Sequence, residues 1–534
     1  MTVPWLVLLA CSSGLAPGDP SSPVVDSATD DAAPPEDDCS PVEEVCDGVD
    51  NDCDALIDEP DATDAVDWYR DADRDGFGDS DASVTGCDRP PGYVREDGDC
   101  DDESELAYPG AEEICADSVD NDCDGDVSEC ALFGEVEFDA LLTGLADLDR
   151  VGTAFAGMDL NGDGRESLLI GVSEHDANGR RDSGAIFAAE LPLSERQDLG
   201  DPILRGESAS IRFGYAIGAG DFGHDGVDDL LVGVPGDGEV RLFTAPLDAP
   251  AALISAEALD HQVGEAVFVS GDWMAIGAPG FGGGDTPDRG AVYLIQGAGP
   301  LADAPVRFVG PERTARIGAA LAGSDVDGDG TDDVVIGAPQ GGQVWVADPT
   351  DAGDVVLSVA DAFSGGDRLG AAISAGDVDQ DGYGDVLMGA PDAAGTLGEA
   401  YLIAGPIAVV DLSAAVAVFQ GLQAGDVLGE AVSCDRDFDG DGAKDVVIGA
   451  PGDRARAAEA GRVMLYYGPV SGAQTTDTFD VRMTGTQSRQ RLGSALAFVE
   501  MAGNGLHAVV AGAPGDRLGG DAAGAVMVLQ GAGL

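Results

Sequence analysis

From about residue 150 onward the chain alternates short apolar runs with glycine-rich breaks, and the runs recur as a set. A small-residue run (GAALAGSD at 318–325, GAAISAGD at 370–377) leads into an acidic loop, then an apolar run (DVVIGAP at 333–339, DVLMGAP at 385–391). A Gly-rich break follows, then an alternating run such as GAVYLIQG at 290–297 and a short fourth run such as VRFVG at 306–310. Apolar runs this short, bounded by Gly and Pro, predict strands, and no amphipathic helical period is visible. The Gly opening each GAP-like tripeptide falls at 171, 233, 277, 337, 389, 449 and 512. Intervals of 44 to 63 residues suit a four-stranded propeller blade with variable loops, so seven anchors predict an all-β, seven-bladed β-propeller. Small residues in the first strand fit the crowded centre of such a ring.

The two ends of this region complement each other. The last unit stops after its third strand, GAVMVLQG at 524–531, whereas ALLTGLADLDRVG at 140–152 aligns without gaps on VRMTGTQSRQRLG at 481–493, where a fourth strand leads into the next unit. Residues 140–144 are therefore expected to complete the last blade and remove two exposed sheet edges.

The acidic loops carry the candidate chemistry. DVDGDGTDD (325–333), DVDQDGYGD (377–385) and DFDGDGAKD (437–445) place carboxylates at positions one, three, five and nine, with Gly at six permitting the turn that offers the position-seven carbonyl. The ligand sets are Asp325, Asp327, Asp329, Thr331 and Asp333; Asp377, Asp379, Asp381, Tyr383 and Asp385; and Asp437, Asp439, Asp441, Ala443 and Asp445. Hard oxygen donors without His or Cys select Ca2+.

By its Phe213-Gly214 and Gly233-Val-Pro235 pairs, its Gly277-Ala-Pro279, and the combined loop and GAP of units four to six, the region from 131 to 534 resembles the FG-GAP repeat family, of which the integrin α-subunit propeller is the best-known type. The resemblance implies Ca2+ on one face, in the loops joining first and second strands. Unit one departs from the pattern: Asp159, Asn161, Asp163 and the Arg165 carbonyl remain, with Ser167 at position nine. Unit two keeps Asp221, Asp225 and Asp229, but Gly223 removes the position-three ligand. Units three and seven have lost the acidic loop.

The first 130 residues read as a different assembly. Leu8, Leu9 and Ala10 before Cys11 resemble a bacterial lipoprotein signal over 1–11, with Cys11 the lipidated residue, although no Lys or Arg precedes it. Residues 12–38, rich in Ser, Pro, Ala and Asp and without an aromatic residue, form an expected disordered tether. Residues 39–130 hold Cys39, Cys46, Cys53, Cys87, Cys100, Cys115, Cys123 and Cys130, an even set beside an export signal that points to disulfides of open connectivity. Cys434, alone in a propeller strand, is expected to be buried.

Two near-copies, CDGVDNDCDALIDE from Cys46 and CADSVDNDCDGDVSE from Cys115, frame this module, which resembles the MopE-type metal-binding motif. Between them DADRDGFGD offers a full calcium-type loop: Asp71, Asp73, Asp75, the Phe77 carbonyl and Asp79. The framing copies add Asp50, Asp52, Asp54 and Asp58, then Asp120, Asp122, Asp124 and Asp126, as a second tier of candidates. The family implies copper, with Trp68 a Cu(I) contact by analogy. Residues 12–130 contain no His and no Met, so Ca2+ is favoured over copper here too.

Charge narrows the partners. The net charge is -75, and residues 12–130 hold 39 acidic against 4 basic side chains, a field that excludes nucleic acid. An Arg precedes an apolar-Gly pair in five units (Arg150, Arg212, Arg316, Arg368 and Arg491), at the propeller face opposite the acidic loops. This ring predicts either a surface for an anionic ligand or clamps to neighbouring carboxylates such as Asp237, Asp392, Asp453 and Asp516. Four scattered His residues and the absence of hydrolase or phosphate-loop motifs argue against catalysis, and each His is expected in a surface loop. The sequence thus favours a calcium-binding, lipid-anchored surface protein that binds an extracellular protein or acidic glycan. The alternative is metal sequestration, of calcium or copper, by the N-terminal module; a hydrolase or lyase accessory role stands a distant third.

Overall fold

The computed structural model describes residues 43–530 except 53–54, 103, 105–106, 110–122, 124–133, 137, 145, 161–163, 194, 223–225, 245–246, 248–249, 256–260, 271–272, 283–287, 297–305, 311–314, 350–354, 359–365, 408–411 and 501–506. The chain divides into two compact units, Met1–Tyr108 and Pro109–Leu534. Cys11, Cys39, Cys53, Cys115, Cys130, Asp54, Asp120, Asp122, Asp124, Asp126, Asn161, Asp163 and Asp225 lie outside the described residues, as does the expected boundary at 130/131. Among the described residues no helix is long and apolar enough to cross a membrane.

The larger unit is all-β. Its described strands form seven sheets, each built on four strands in antiparallel sequence. The fourth is representative: Ala320–Ser324, Asp333–Ala338, Gln343–Ala347 and Val355–Ser358 pair in order, with Leu321 opposite Ile336 and Ile336 opposite Trp345. In the seventh sheet Ala525–Gln530 pairs antiparallel with Ala140–Thr143, placing Val526 opposite Leu142, so a strand from the start of this unit finishes the sheet made by its end.

Each second strand is covered on both faces by neighbouring sheets, which is why runs such as DVVIGA and DVLMGA are buried at every position. One apolar cluster joins Val335 and Val346 of unit four to Val386, Met388 and Tyr401 of unit five; another joins Leu168 and Ile170 of unit one to Val510, Val526 and Val528 of unit seven. Burying each such aliphatic side chain is worth about 1.5–3 kcal/mol.

The anchor glycines have a steric cause. A Cβ on Gly337 would stand 2.2 Å from the carbonyl oxygen of Gly370, the Gly of the next unit's Arg-Leu-Gly, and Gly370 N–H donates to the Gly389 carbonyl at 2.9 Å. The same contact recurs around the ring and ends with Gly512 against the Gly152 carbonyl, where 2.0 Å would separate them. Unit seven thereby abuts unit one.

The smaller unit holds β1 (Val66–Arg70), β2 (Phe77–Gly86), β3 (Tyr93–Val94) and β4 (Glu96–Asp99) in the order β3-β1-β2-β4. The β1–β2 hairpin is antiparallel and β4 runs parallel to β2. A Cys46–Cys87 disulfide ties the segment before β1 to the residue after β2, and Cys100 is also disulfide-bonded. Its described apolar interior is small, with Ala62, Val94 and Ala107 buried, beside the buried acids Glu44, Asp71, Asp99 and Asp102.

Candidate metal centres

The nonapeptide loops fold by their own hydrogen bonds. In units four to six the position-five amide donates to the position-three carboxylate (Asp329 N to Asp327 Oδ1 3.0 Å, Asp381 N to Asp379 Oδ1 3.2 Å, Asp441 N to Asp439 Oδ1 3.2 Å). The position-seven amide donates to position five (Thr331 N to Asp329 Oδ1 2.8 Å, Tyr383 N to Asp381 Oδ1 2.9 Å, Ala443 N to Asp441 Oδ1 2.7 Å). The Gly at six reaches back to position one: Gly330 to Asp325, Gly382 to Asp377 and Gly442 to Asp437. These local turns are what Asp-rich sequences favour, and they hold alternate carboxylates to one side.

Each loop leads into a second strand: Asp333 and Asp385 are the first residues of theirs, and Asp445 directly precedes Val446–Ala450. Asp333, Asp385 and Asp445 are buried and accept from the position-two amides of Val326, Val378 and Phe438. The loops bring carboxylate oxygens of Asp325, Asp327 and Asp333, and of Asp377, Asp379 and Asp385, within 4.8 Å of one another. Burial, then neighbouring carboxylates, push Asp333 and Asp445 up to about 7, and Asp385 and Asp439 up to about 6. Like charges gathered in this way favour protons or a cation.

In units one and two the same position-six bond forms, Gly164 N to Asp159 Oδ2 at 2.8 Å and Gly226 N to Asp221 Oδ2 at 3.0 Å. Arg165 is exposed; Asp229 begins a second strand and is buried, as is Ser167, which donates to Glu190 rather than facing the loop as a ligand. In the smaller unit Asp75 N donates to Asp73 Oδ1 (3.1 Å) and Phe77 N to Asp75 Oδ1 (2.8 Å), reproducing the propeller turns, and the oxygens of Asp71, Asp73 and Asp75 lie within 4.8 Å. Asp79 stands in β2. Asp50 and Asp52 gather with Glu44, whereas Asp58 accepts from Gly48 N.

The FG-GAP repeat family matches residues 213–243, 317–357 and 369–403, which fall in units two, four and five. The chain carries FG-GAP repeats. The Cu-binding MopE family, described as a "Putative metal-binding motif", matches residues 38–59 and 99–129. Similar proteins include phosphatidylinositol-glycan-specific phospholipase D of Rattus norvegicus, 31% identical over 36% of this chain and 18% of that protein. Integrin alpha-PS3 of Drosophila melanogaster is 31% identical over 26% of this chain and 13% of its own length, and integrin alpha-4 of Xenopus laevis 33% over 25% and 14%. The chain thus spans less than a fifth of the length of these relatives.

In this FG-GAP propeller the acidic loops are strung together. The position-one carbonyl of each accepts from the next unit: Asp325 O from Gly384 N (2.6 Å), Asp377 O from Lys444 N (3.2 Å), and Asp437 O from His507 Nδ1 (2.7 Å). His507 is therefore not the surface-loop residue the sequence suggested. It is buried in a second strand, burial lowers its pKa, and its neutral ring donates where unit seven lacks an acidic loop.

Asp348 was also missed. After the third strand, units five and six carry Gly405 and Gly468, whose amides cap Asp385 and Asp445 at 2.9 Å. Unit four carries Asp348 one residue earlier in register, directly after its third strand, and its carboxylate lies within 4.8 Å of those of Asp327 and Asp329.

The Arg series has a backbone role. Arg150, Arg212, Arg316, Arg368 and Arg491 all adopt left-handed φ, between 52° and 58°. Four of their amides donate to carbonyls of the preceding unit's long loop, Arg212 to Asp182, Arg316 to Asp288, Arg491 to Glu459 and Arg150 to Ala522. Their side chains largely meet glutamates: Arg150 meets Glu174 at 3.3 Å, Arg316 meets Glu265 at 2.8 Å, and Arg368 meets Glu430 at 3.4 Å and Asp392 at 3.7 Å. Of the other expected partners, Asp237 meets Arg241, Asp453 meets Arg462 and Asp516 accepts from Gln487 and Gln490. The Arg212 guanidinium lies 4.3 Å from the Tyr215 ring centroid. This end of the central channel is a cavity of about 480 Å3 lined by both signs of charge, with Arg212 beside Glu174, Glu265 and Glu430. Cys434 is fully buried, and burial raises its thiol pKa.

Proposed function

We propose that this protein is a non-enzymatic, calcium-binding, exported and lipid-anchored surface protein whose FG-GAP propeller binds an extracellular protein or an acidic glycan. The observation that carries the calcium reading is the repeated nonapeptide, folded three times by the same turns, with carboxylate oxygens of the copies at Asp325 and Asp377 gathered within 4.8 Å of one another. The loops lie at the ends of the inner strands, so their ions would brace neighbouring blades. Recognition is assigned to the opposite mouth, where Arg212, Tyr215 and the cavity offer a cation, an aromatic face and depth. An anionic ligand would exchange with the glutamates that pair with the Arg series, and specificity would follow from which pairs it displaces.

The second reading is metal storage by the N-terminal unit, favoured by its two acidic clusters. Both readings are tested by binding the purified protein to a glycan and extracellular-protein array with Ca2+ and with EGTA. A specific hit lost by changing Arg212 to Gln supports recognition at the mouth; no hit in either condition refutes it. Turnover of a phosphatidylinositol-glycan substrate by the chain would overturn the non-enzymatic part.

A further inference from the structure

The Asp71–Asp79 loop of the smaller unit ends in unsatisfied oxygens. Asp71 Oδ1, Asp73 Oδ2 and Asp75 Oδ2 hydrogen-bond to nothing among the described residues, and neither does Asp99 Oδ2. Asp71 and Asp99 are only 8% and 7% exposed. Leaving one buried acceptor unpaired costs about 1–3 kcal/mol, more when it is charged, so four in one small unit call for a partner.

Asp99 lies outside the nonapeptide and is brought to it by topology. It ends β4, which runs parallel to β2 so that Asp99 pairs in register with Asp79, loop position nine. The carboxylates of Asp75, Asp73 and Asp102 are close enough to act on its charge. Asp99 Oδ1 is used by the Asp101 amide at 2.8 Å, which leaves Oδ2 free to turn to the loop. Asp102 is occupied otherwise, accepting from Arg70 Nε at 2.6 Å and from Ala72 N at 2.7 Å, and so positions the loop's start.

We propose that one Ca2+ ion is held jointly by Asp71, Asp73, Asp75 and Asp99, fastening β4 to the β1–β2 hairpin. This rests on the calcium reading of the nonapeptide loops and adds a ligand that no loop pattern contains. The donor set is all oxygen and anionic, which suits a hard cation and not copper.

The test counts Ca2+ bound to the full chain by isothermal titration after chelator treatment, for the wild type, Asp99→Ala, Asp73→Ala, the double variant combining these two changes, and a propeller triple variant of Asp327→Ala, Asp379→Ala and Asp439→Ala. Asp99→Ala and Asp73→Ala should each lose one equivalent or weaken one site at least 10-fold, the double variant should lose no more than one, and the triple variant should keep that site. Full binding by Asp99→Ala, with loss in Asp73→Ala, overturns the inference and leaves the loop reading standing. Unchanged binding in all variants refutes the loop reading itself. In the wild type, amide exchange at Glu96–Asp99 should slow on adding Ca2+, a readout independent of whether the variants fold; no change overturns the proposal. Stoichiometric Cu(I) retention in competition with Ca2+ does so as well.

Discussion

One nonapeptide occurs in two settings. In the propeller, Asp333 and Asp385 begin, and Asp445 directly precedes, strands buried on both faces, and all three cap the loop from a finished scaffold; in the smaller unit, Asp79 sits in a strand whose neighbours bury little hydrocarbon. The turns are alike, with the amides of residues five and seven bonding the carboxylates of three and five in both. What differs is the leverage of an ion. Among the described residues seven apolar clusters hold the propeller, whereas the smaller unit has three buried apolar side chains against four buried acids. The same ligand set can therefore be an accessory in one place and a main source of stability in the other.

The largest expected effect breaks the two regions apart. On chelation the smaller unit should open, with cleavage between residues 60 and 108 by a dilute protease rising about 100-fold, as linkage gives when a ligand present at 100 times its Kd is withdrawn. The propeller should remain resistant and lose only melting temperature. Limited proteolysis read by mass spectrometry decides it; equal protection of both regions in EGTA would show that the Cys46–Cys87 bridge, closing a separation of 41 residues, suffices without metal.

A second change should strike the propeller alone. Gly337→Ala would put a methyl 2.2 Å from the Gly370 carbonyl, between units four and five, and should destabilise the propeller by about 1–3 kcal/mol, leaving the smaller unit's cleavage pattern unchanged. Calorimetry of the variant in Ca2+ checks this. A neutral result would mean the seam between blades can shift, contrary to the close packing of the clusters that span it.

These seams explain what was legible. The repeat could be counted because the seven anchor positions admit no side chain, and strands could be placed because their apolar runs are buried between sheets. The loops could be read because their ligands sit two residues apart. Asp348, Asp99, Glu44 and His507 could not, since each arrives from another strand or segment and only pairing brings it near. The Arg series was visible as a pattern but not in its meaning. Its φ values and its amide bonds to the preceding unit show a docking device, and the partners Glu265 and Glu430 each follow a Gly of a neighbouring entry turn, with no charge pattern to link them to Arg316 and Arg368.

The smallest effect concerns protons. In the metal-free protein Asp333 and Asp445 rise to about 7, and Asp385, Asp439 and Asp99 to about 6, against roughly 3.9 for an unfolded Asp. Between these values the folded state binds more protons than the unfolded one, so stability falls as pH rises. The contribution is fully present below about pH 4 and is lost as pH climbs through 6 and 7. In EGTA the melting temperature should therefore decline from pH 5 to pH 8 in both regions. With millimolar Ca2+ the slope should flatten or reverse, because deprotonated carboxylates bind the ion more tightly and the ion binds the folded state. Scanning calorimetry across that range, with and without Ca2+, checks the sign. A metal-free melting temperature that rises with pH would mean that the carboxylates separate when no cation holds them, and that the loops are organised by the ion in the propeller as much as in the smaller unit.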